Sequence, residues 1–378
     1  MYLAGVASQL SLSVLLELIG GYVPHKLRCA ACLVLQAGSA AFLVHPAFGG
    51  LVTSRVLGGF SAALLHASFE AWMVEQHVGQ GFPLDWFTHT FNKLSVAMGA
   101  LAIAVGPLAT VAHDLAGGNV GPFKLSLVIV AVNGLQVIGW RRDANKSCPT
   151  FAATGRLVSR AWSAVSGPGG SQVAKIAAAQ GLFEATMFGF ALLWTPLLNS
   201  AAYYPTSATP WGLAFAQLLG CVMIGSVSFK LITALYSGAT AERMCVWACA
   251  MGFLCFCGLT WAIFMKLPGI QLFLMGFELC VGVYLNGMGV IRSKYVPQEI
   301  RGLVLAASKL VISVALFVVS VLAPEPVRAC LVLCTVFSGV SAFCLQRAIA
   351  SRNPASGREE MSGEVDEEEG ASLVQRRS

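Results

Sequence analysis

Apolar stretches of about twenty residues recur along almost the whole chain, and that recurrence limits the fold to one class. A hydrocarbon layer about 30 Å thick takes about 20 helical residues to cross. About eleven such stretches are present, at 2–23, 29–45, 49–73, 93–113, 122–140, 173–198, 210–236, 242–265, 268–291, 302–323 and 327–346. Lipid offers no partner to an open backbone N–H or C=O, so each stretch is expected to be a helix with internal hydrogen bonds. Only 11% of the 378 residues are charged, against about 25% in soluble chains. The expected fold class is an all-α polytopic membrane protein. The first run, Tyr2–Val23, is expected to be a span and not a signal segment, on its length.

Lysine and arginine set the orientation. Counted in order, the odd-numbered loops and the tail hold eighteen of them, and the even-numbered loops hold only Lys124, Lys266 and Arg328. The odd loops and the tail are therefore expected on the cytoplasmic side. Eleven spans and a cytoplasmic C-terminus put Met1 outside. Carriers usually have an even count, so a further span is expected ahead of the first. The net charge of +6 is strung along loops and not gathered on one face, which excludes a nucleic-acid partner from the expectation.

Residues 142–172 form the longest internal loop, polar and rich in Ser, Gly and Arg. It divides the chain into an N-terminal bundle of five spans (1–141) and a C-terminal bundle of six (173–346). A basic cytoplasmic linker between two similar bundles is the plan of a two-repeat transporter. The tail, 347–378, carries the acidic run Glu364–Glu369 and is expected to be disordered and solvated.

Twelve cysteines would suit a disulfide framework, but nine of them, besides the two at the start of the 29–45 stretch, fall inside the apolar stretches, where Cys acts as a small hydrophobe. Cys29-Ala-Ala-Cys32 lacks the second ligand pair or the redox context that would make it chemical. No cofactor or metal is expected. HExxH, GxSxG and GxxxxGK[ST] are all missing from the sequence, so an enzyme is not expected.

Seven ionisable residues sit inside apolar stretches: Glu17, Arg55, Glu70, Glu184, Lys230, Glu278 and Lys309. A charge at mid-span costs about 2.5–3.5 kcal/mol on insertion scales, so such residues face a cavity, pair, snorkel or change protonation. Lys230 and Lys309 lie near enough to a span end to snorkel, and Glu17 is also near its inner end. Spacing sharpens the others. Gln9, Ser13 and Glu17 form one stripe, and Arg55, Gly59, Ala62, His66 and Glu70 form another. Gln180, Glu184 and Thr195 share a face, as do Gln271 and Glu278. Two readings stay open at this point. Arg55 is either a substrate-facing cation or a structural arginine bonded to carbonyls. The buried acids are either simple hydrogen-bonded carboxyls or proton carriers, because burial favours their neutral form. His66 reads first as a packed histidine.

The run Leu51-Val-Thr-Ser-Arg55-Val-Leu-Gly58-Gly59 resembles the signature that major facilitator carriers place on their fourth helix. The turn Gly20–Arg28 sits where that superfamily has G-x-x-x-D-R-x-G-R, but Pro24 replaces the acid and Leu27 the glycine. Gly106-Pro107 is a partial antiporter signature. Three regions resemble the eukaryotic molybdate-anion transporter family more specifically. They are Arg55 through Ser68-Phe69-Glu70-Ala71-Trp72; Gln180-Gly-Leu-Phe183-Glu184 with Leu193-Trp194-Thr195-Pro196; and Phe277-Glu278 with Arg292-Ser-Lys-Tyr-Val-Pro297.

That resemblance implies a major facilitator helical bundle of twelve helices, with the first span here in the second position. It also implies that the spans carrying Arg55 and Glu70, Glu184 and Glu278 line the central path. The expected function is alternating-access uptake of molybdate or a related oxyanion across the plasma membrane. Arg55, Glu70, Glu184, Glu278, Lys230, His66 and Thr195 are the candidate path residues, with Asn286 and Gln180 as further donors. The expected partners are a small anionic solute, the lipid bilayer and protons. A carrier for a sugar or organic anion is the first alternative. A carrier-derived sensor or scaffold is the second.

Overall fold

The computed structural model describes residues 23–44, 47–82, 85–140, 170–200, 211–236, 238–267, 269–296 and 326–350, with a few positions between 159 and 167. The stretches 2–23 and 302–323, with Glu17 and Lys309, lie outside the described residues. So do most of the linker and the tail after Ala350. The side chains of His66 and Glu70 also lie outside them, although both residues fall within a described helix.

Each of the other nine expected spans corresponds to a helix. They are α1 (His25–Val44), α2 (Phe48–Gly79), α3 (Asp85–Leu115), α4 (Gly121–Gly139), α5 (Gly170–Ser200), α6 (Trp211–Leu235), α7 (Ala241–Phe264), α8 (Ile270–Tyr295) and α9 (Pro326–Ala350). Eight stretches within them are long and apolar enough to cross a membrane, and α3 adds the shorter apolar stretch Gly99–Leu115. No strand occurs among the described residues. The chain is a multi-pass helical membrane protein.

Local chemistry sets the ends. Pro122 opens α4, where a missing N–H is harmless. Thr240 caps α7 by accepting from the Arg243 N–H at 3.3 Å. Gly269, at φ 96°, turns the chain into α8 through a backbone region that side chains rarely enter. Pro107 and Pro196 lie inside α3 and α5, where each removes one ladder bond.

Leu135, Ile138, Trp247 and Leu272 are each about two-thirds exposed or more. Apolar surface on this scale is stable only against lipid or another apolar partner. Enclosure differs sharply between helices. In the apolar stretches of α5 and α8, 61% and 56% of residues are buried, against 11% in the Gly118–Gly139 stretch that contains α4. Helices α5 and α8 are thus the interior elements, and they carry Glu184 and Glu278. An aromatic cluster joins them to α7: Phe277 lies 5.8 Å from Phe183, 5.2 Å from Phe190 and 4.8 Å, edge-on, from Phe256.

Small and polar residues make the close seams, as expected where lipid removes the hydrophobic drive between helices. Between α1 and α2, Ser39 Oγ donates to Ser54 O at 2.9 Å and Ser54 Oγ returns a bond to Ser39 O at 2.8 Å. Lower in the same seam Ser61 Oγ donates to Cys32 O at 3.0 Å. Cys29 and Cys32 are buried, and Cys32 Sγ donates to Ser61 O at 3.3 Å in this seam. The turn that departs from the facilitator pattern has a structural task here. Lys26 Nζ donates to Ile138 O at 3.0 Å and to Trp140 O at 2.6 Å, closing the carbonyl end of α4. Trp140 stacks on Trp72 at 3.8 Å.

Helix α3 packs on α6, and this contact joins the helices before residue 141 to those after 170. It is tightest at Gly106 and Gly212. A Cβ added at either would collide with the carbonyl of the other.

Candidate functional site

Helix α5 brings Gln180 and Glu184 onto one face, as their spacing requires. Gln180 Nε2 donates to Glu184 Oε1 at 2.5 Å. The intervening Phe183 stacks on Tyr284 of α8, ring centres 4.0 Å apart. Gln180 and Tyr284 are both 1% exposed. Neither Gln180 Oε1 nor the Tyr284 hydroxyl has a hydrogen-bond partner among the described residues. A buried polar atom left unmade costs about 1–3 kcal/mol, so two of them beside a carboxylate demand an explanation. Tyr284 was invisible in the sequence, where a tyrosine in an apolar helix carries no signal.

Glu278 lies about 9 Å along α8 from Tyr284, from the helical rise. It is partly buried and lies near Cys221 of α6. The α6–α8 seam around it is polar. Gln271 Nε2 donates to Gln217 Oε1 at 2.8 Å, and Ser226 Oγ donates to Gly282 O at 3.2 Å. Gln217, Cys221 and Gly225 recur every four residues, a stripe that would have revealed this seam before the structure did. Asn286 Nδ2 bonds back to Gly282 O at 2.9 Å within its own helix.

The remaining candidates are placed as follows. Arg55 is exposed on α2. Its neighbour Ser54 is buried against α1. Lys230 is exposed on α6, beside the exposed Val227 and Leu231. Thr195 is exposed on α5 next to Pro196. Neither Arg55 nor Lys230 forms an ion pair among the described residues. No cluster of three His, Cys, Asp or Glu there has the arrangement of a metal site. The structure therefore brings Gln180, Glu184 and Tyr284 together, sets Glu278 farther along α8, and leaves Arg55 as a separate cation on α2.

The profile of a family described as sugar transporters with 12 transmembrane helices, within the major facilitator group, matches residues 1–259. The molybdate-anion transporter of Danio rerio is 30% identical over 335 residues, covering 81% of this chain and 67% of the relative. The chain belongs to the major facilitator superfamily, in the family that holds the molybdate-anion transporters. The relative of that name from Xenopus tropicalis is also 30% identical, over 275 residues and 71% of this chain. The chain spans 58% of that relative's length. Solved facilitator structures share the fold. The peptide transporter POT in complex with sulfate superposes with a TM-score of 0.67 at 13% identity, covering 93% of this chain and 84% of its own. The nucleoside transporter NupG gives 0.61 at 12% identity, over 92% and 90%. Within this facilitator family the profile match includes Arg55, Glu184 and Lys230, while Glu278 and Tyr284 lie beyond its last residue.

Proposed function

We propose that this chain is a secondary carrier for molybdate or a related oxyanion, working by alternating access. The observation that carries the reading is the buried Tyr284 hydroxyl, which has no hydrogen-bond partner among the described residues and lies beside the Gln180–Glu184 pair on the two most enclosed of the described helices. A carrier site lacks part of its bonding when empty, and an oxyanion accepts from a hydroxyl such as that of Tyr284. Arg55 supplies the compensating charge from α2. Glu184 and Glu278 repel a dianion when ionised, so they hold protons while it is bound and couple its uptake to proton entry. The names of the relatives support molybdate as the solute. The positive loops support a cytoplasmic tail, and uptake across the plasma membrane is the setting proposed. The linker at 142–172 separates the two moving bundles.

The test is labelled molybdate uptake in cells lacking their own carrier, with and without a pH gradient. Uptake that ignores the gradient removes the proton coupling, and no uptake removes the substrate assignment. Tyr284→Phe separates a site role from a packing role. Deleting a buried, unpaired hydroxyl is expected to leave thermal stability unchanged or raise it by about 1 kcal/mol. Uptake is expected to fall about tenfold, the size of one lost hydrogen bond to a charged group. A variant that is less stable and equally active would make Tyr284 structural.

The family description favours one second reading, a sugar as the transported solute. Excess hexose that suppresses labelled uptake while unlabelled molybdate does not would select it.

A further inference from the structure

A cavity of about 520 Å³ opens where α6 ends and α7 begins, walled by Leu235, Tyr236, Ala239, Arg243, Met244 and Trp247. Its chemistry is layered. Arg243 is exposed in the first turn of α7. One guanidinium nitrogen, Nη1, donates to Gly238 O at 3.1 Å, which fixes the group at the rim. An arginine has five N–H donors, and Arg243 is in no ion pair among the described residues. The adjacent acid does not neutralise it. Glu242 is held by α8 instead, 3.2 Å from Lys294 Nζ and 3.4 Å from the Tyr295 hydroxyl.

Below the cation the walls turn apolar and aromatic. Tyr236 and Trp247 are 65% and 68% exposed, and Trp247 sits about one helical turn deeper than Arg243. Helices α6 and α7 both pack extensively on α8, and exposed apolar residues run on from the cavity along each of them. Ile224, Val227 and Leu231 line one side of α6, and Met251 and Leu254 continue the Trp247 face of α7, all exposed. A cation above, amphipathic rings within a turn of it and exposed apolar side chains beneath match one occupant: a lipid with a negative head and two acyl chains. Tyr and Trp concentrate at that membrane depth. The positive-loop pattern puts this end on the cytoplasmic side, where anionic lipids are abundant.

We infer that the α6–α7 cavity is a binding site for an anionic phospholipid, with Arg243 on the headgroup phosphate and Trp247 on the upper acyl chain. The inference rests on the membrane placement of the chain and not on its solute, so failed molybdate uptake leaves it standing. The test is native mass spectrometry of the full chain released from mixed phosphatidylserine and phosphatidylcholine micelles. One phosphatidylserine is expected to be retained about fivefold over phosphatidylcholine, the discrimination of a single cation near the surface. Arg243→Gln is expected to erase that preference. Arg328→Gln, at the opposite end of the helices beside Phe264, is expected to keep it. Equal retention of the two lipids, or an unchanged preference in Arg243→Gln, overturns the site. Should Arg243→Gln fail to fold, brominated phosphatidylserine supplies a second reading. It is expected to quench the fluorescence of the unmodified chain more than that of Trp247→Leu, and equal quenching overturns the site. Glycerophosphoserine without acyl chains is expected to compete poorly, and full competition would overturn the lipid assignment in favour of a soluble phosphate.

Discussion

Gly212→Ala is expected to cut uptake by about thirtyfold while the same change at Gly220 leaves it intact. Both glycines lie on α6, and both changes favour the helix by about 1 kcal/mol in intrinsic propensity. Their surroundings differ completely. A Cβ at Gly220 meets nothing within 4 Å, whereas one at Gly212 drives into the carbonyl of Gly106 and the hydroxyl of Thr110. Backbone cannot rotate away as a side chain can, so α3 and α6 must part. Overpacking of this kind costs about 1–3 kcal/mol. This contact lies at the end that the charge pattern assigns to the outer side, where the proposed alternating access requires a closure. Two kilocalories against that closure shift an opening equilibrium by about thirtyfold. Surface labelling measures the amount of protein at the membrane, and uptake per molecule is then compared. Equal rates for the two variants would mean that the Gly106–Gly212 contact is no gate.

The sequence could reveal helices here because lipid leaves the backbone no other choice. Length and hydropathy therefore placed seven of the nine described helices to within four residues of their observed ends, while α2 runs six residues past its expected end and α3 begins eight residues before its expected start. The polar stripes were a weaker guide. The stripe from Arg55 to Glu70 was legible because charge stands out in an apolar run. The serines at 54, 61 and 68, one position round the same helix and buried, did not stand out. Serine is buried cheaply when a neighbouring carbonyl accepts its proton, so hydropathy barely registers it. Yet Ser54 and Ser61 are the ones that hold α2 to α1. Gln180 with Glu184 was legible from a spacing of four within one helix. Gln217 with Gln271 was not, since a bond between helices depends on their rotation and register.

The same limit applies to the acids. Spacing predicted that Glu184 and Glu278 belong to interior helices, and burial of α5 and α8 agrees. Their immediate neighbours are another matter. Glu184 meets an amide of its own helix, while Glu278 faces a seam of Gln, Cys and Gly. Two carboxylates with such different settings are suited to different tasks. Glu184, next to Tyr284, sits by the open bonding positions. Glu278 sits in the seam where α6 and α8 press together.

Arg55→Gln is expected to lower uptake by one to two orders of magnitude with little change in stability. An arginine that braces a bundle donates to carbonyls or carboxylates, and its loss strands those partners. Arg55 has no such bonds among the described residues and is exposed, so its replacement strands nothing. Changes at sites of that kind usually stay within about 0.5 kcal/mol. For a doubly charged oxyanion the balance is the reverse. A hydrogen bond from a charged donor is worth about 1.5–3 kcal/mol, which is about ten- to a hundredfold in transport rate. Arg55→Lys keeps the charge and loses the planar fork that matches an oxyanion's edge, so it is expected to recover part of the activity. Thermal unfolding in detergent and labelled molybdate uptake, measured on the same preparations, distinguish the cases. Falling stability with proportionate loss of uptake would make Arg55 a structural residue. Unchanged uptake would take it off the substrate path and leave Tyr284 without the cation that the proposed site requires.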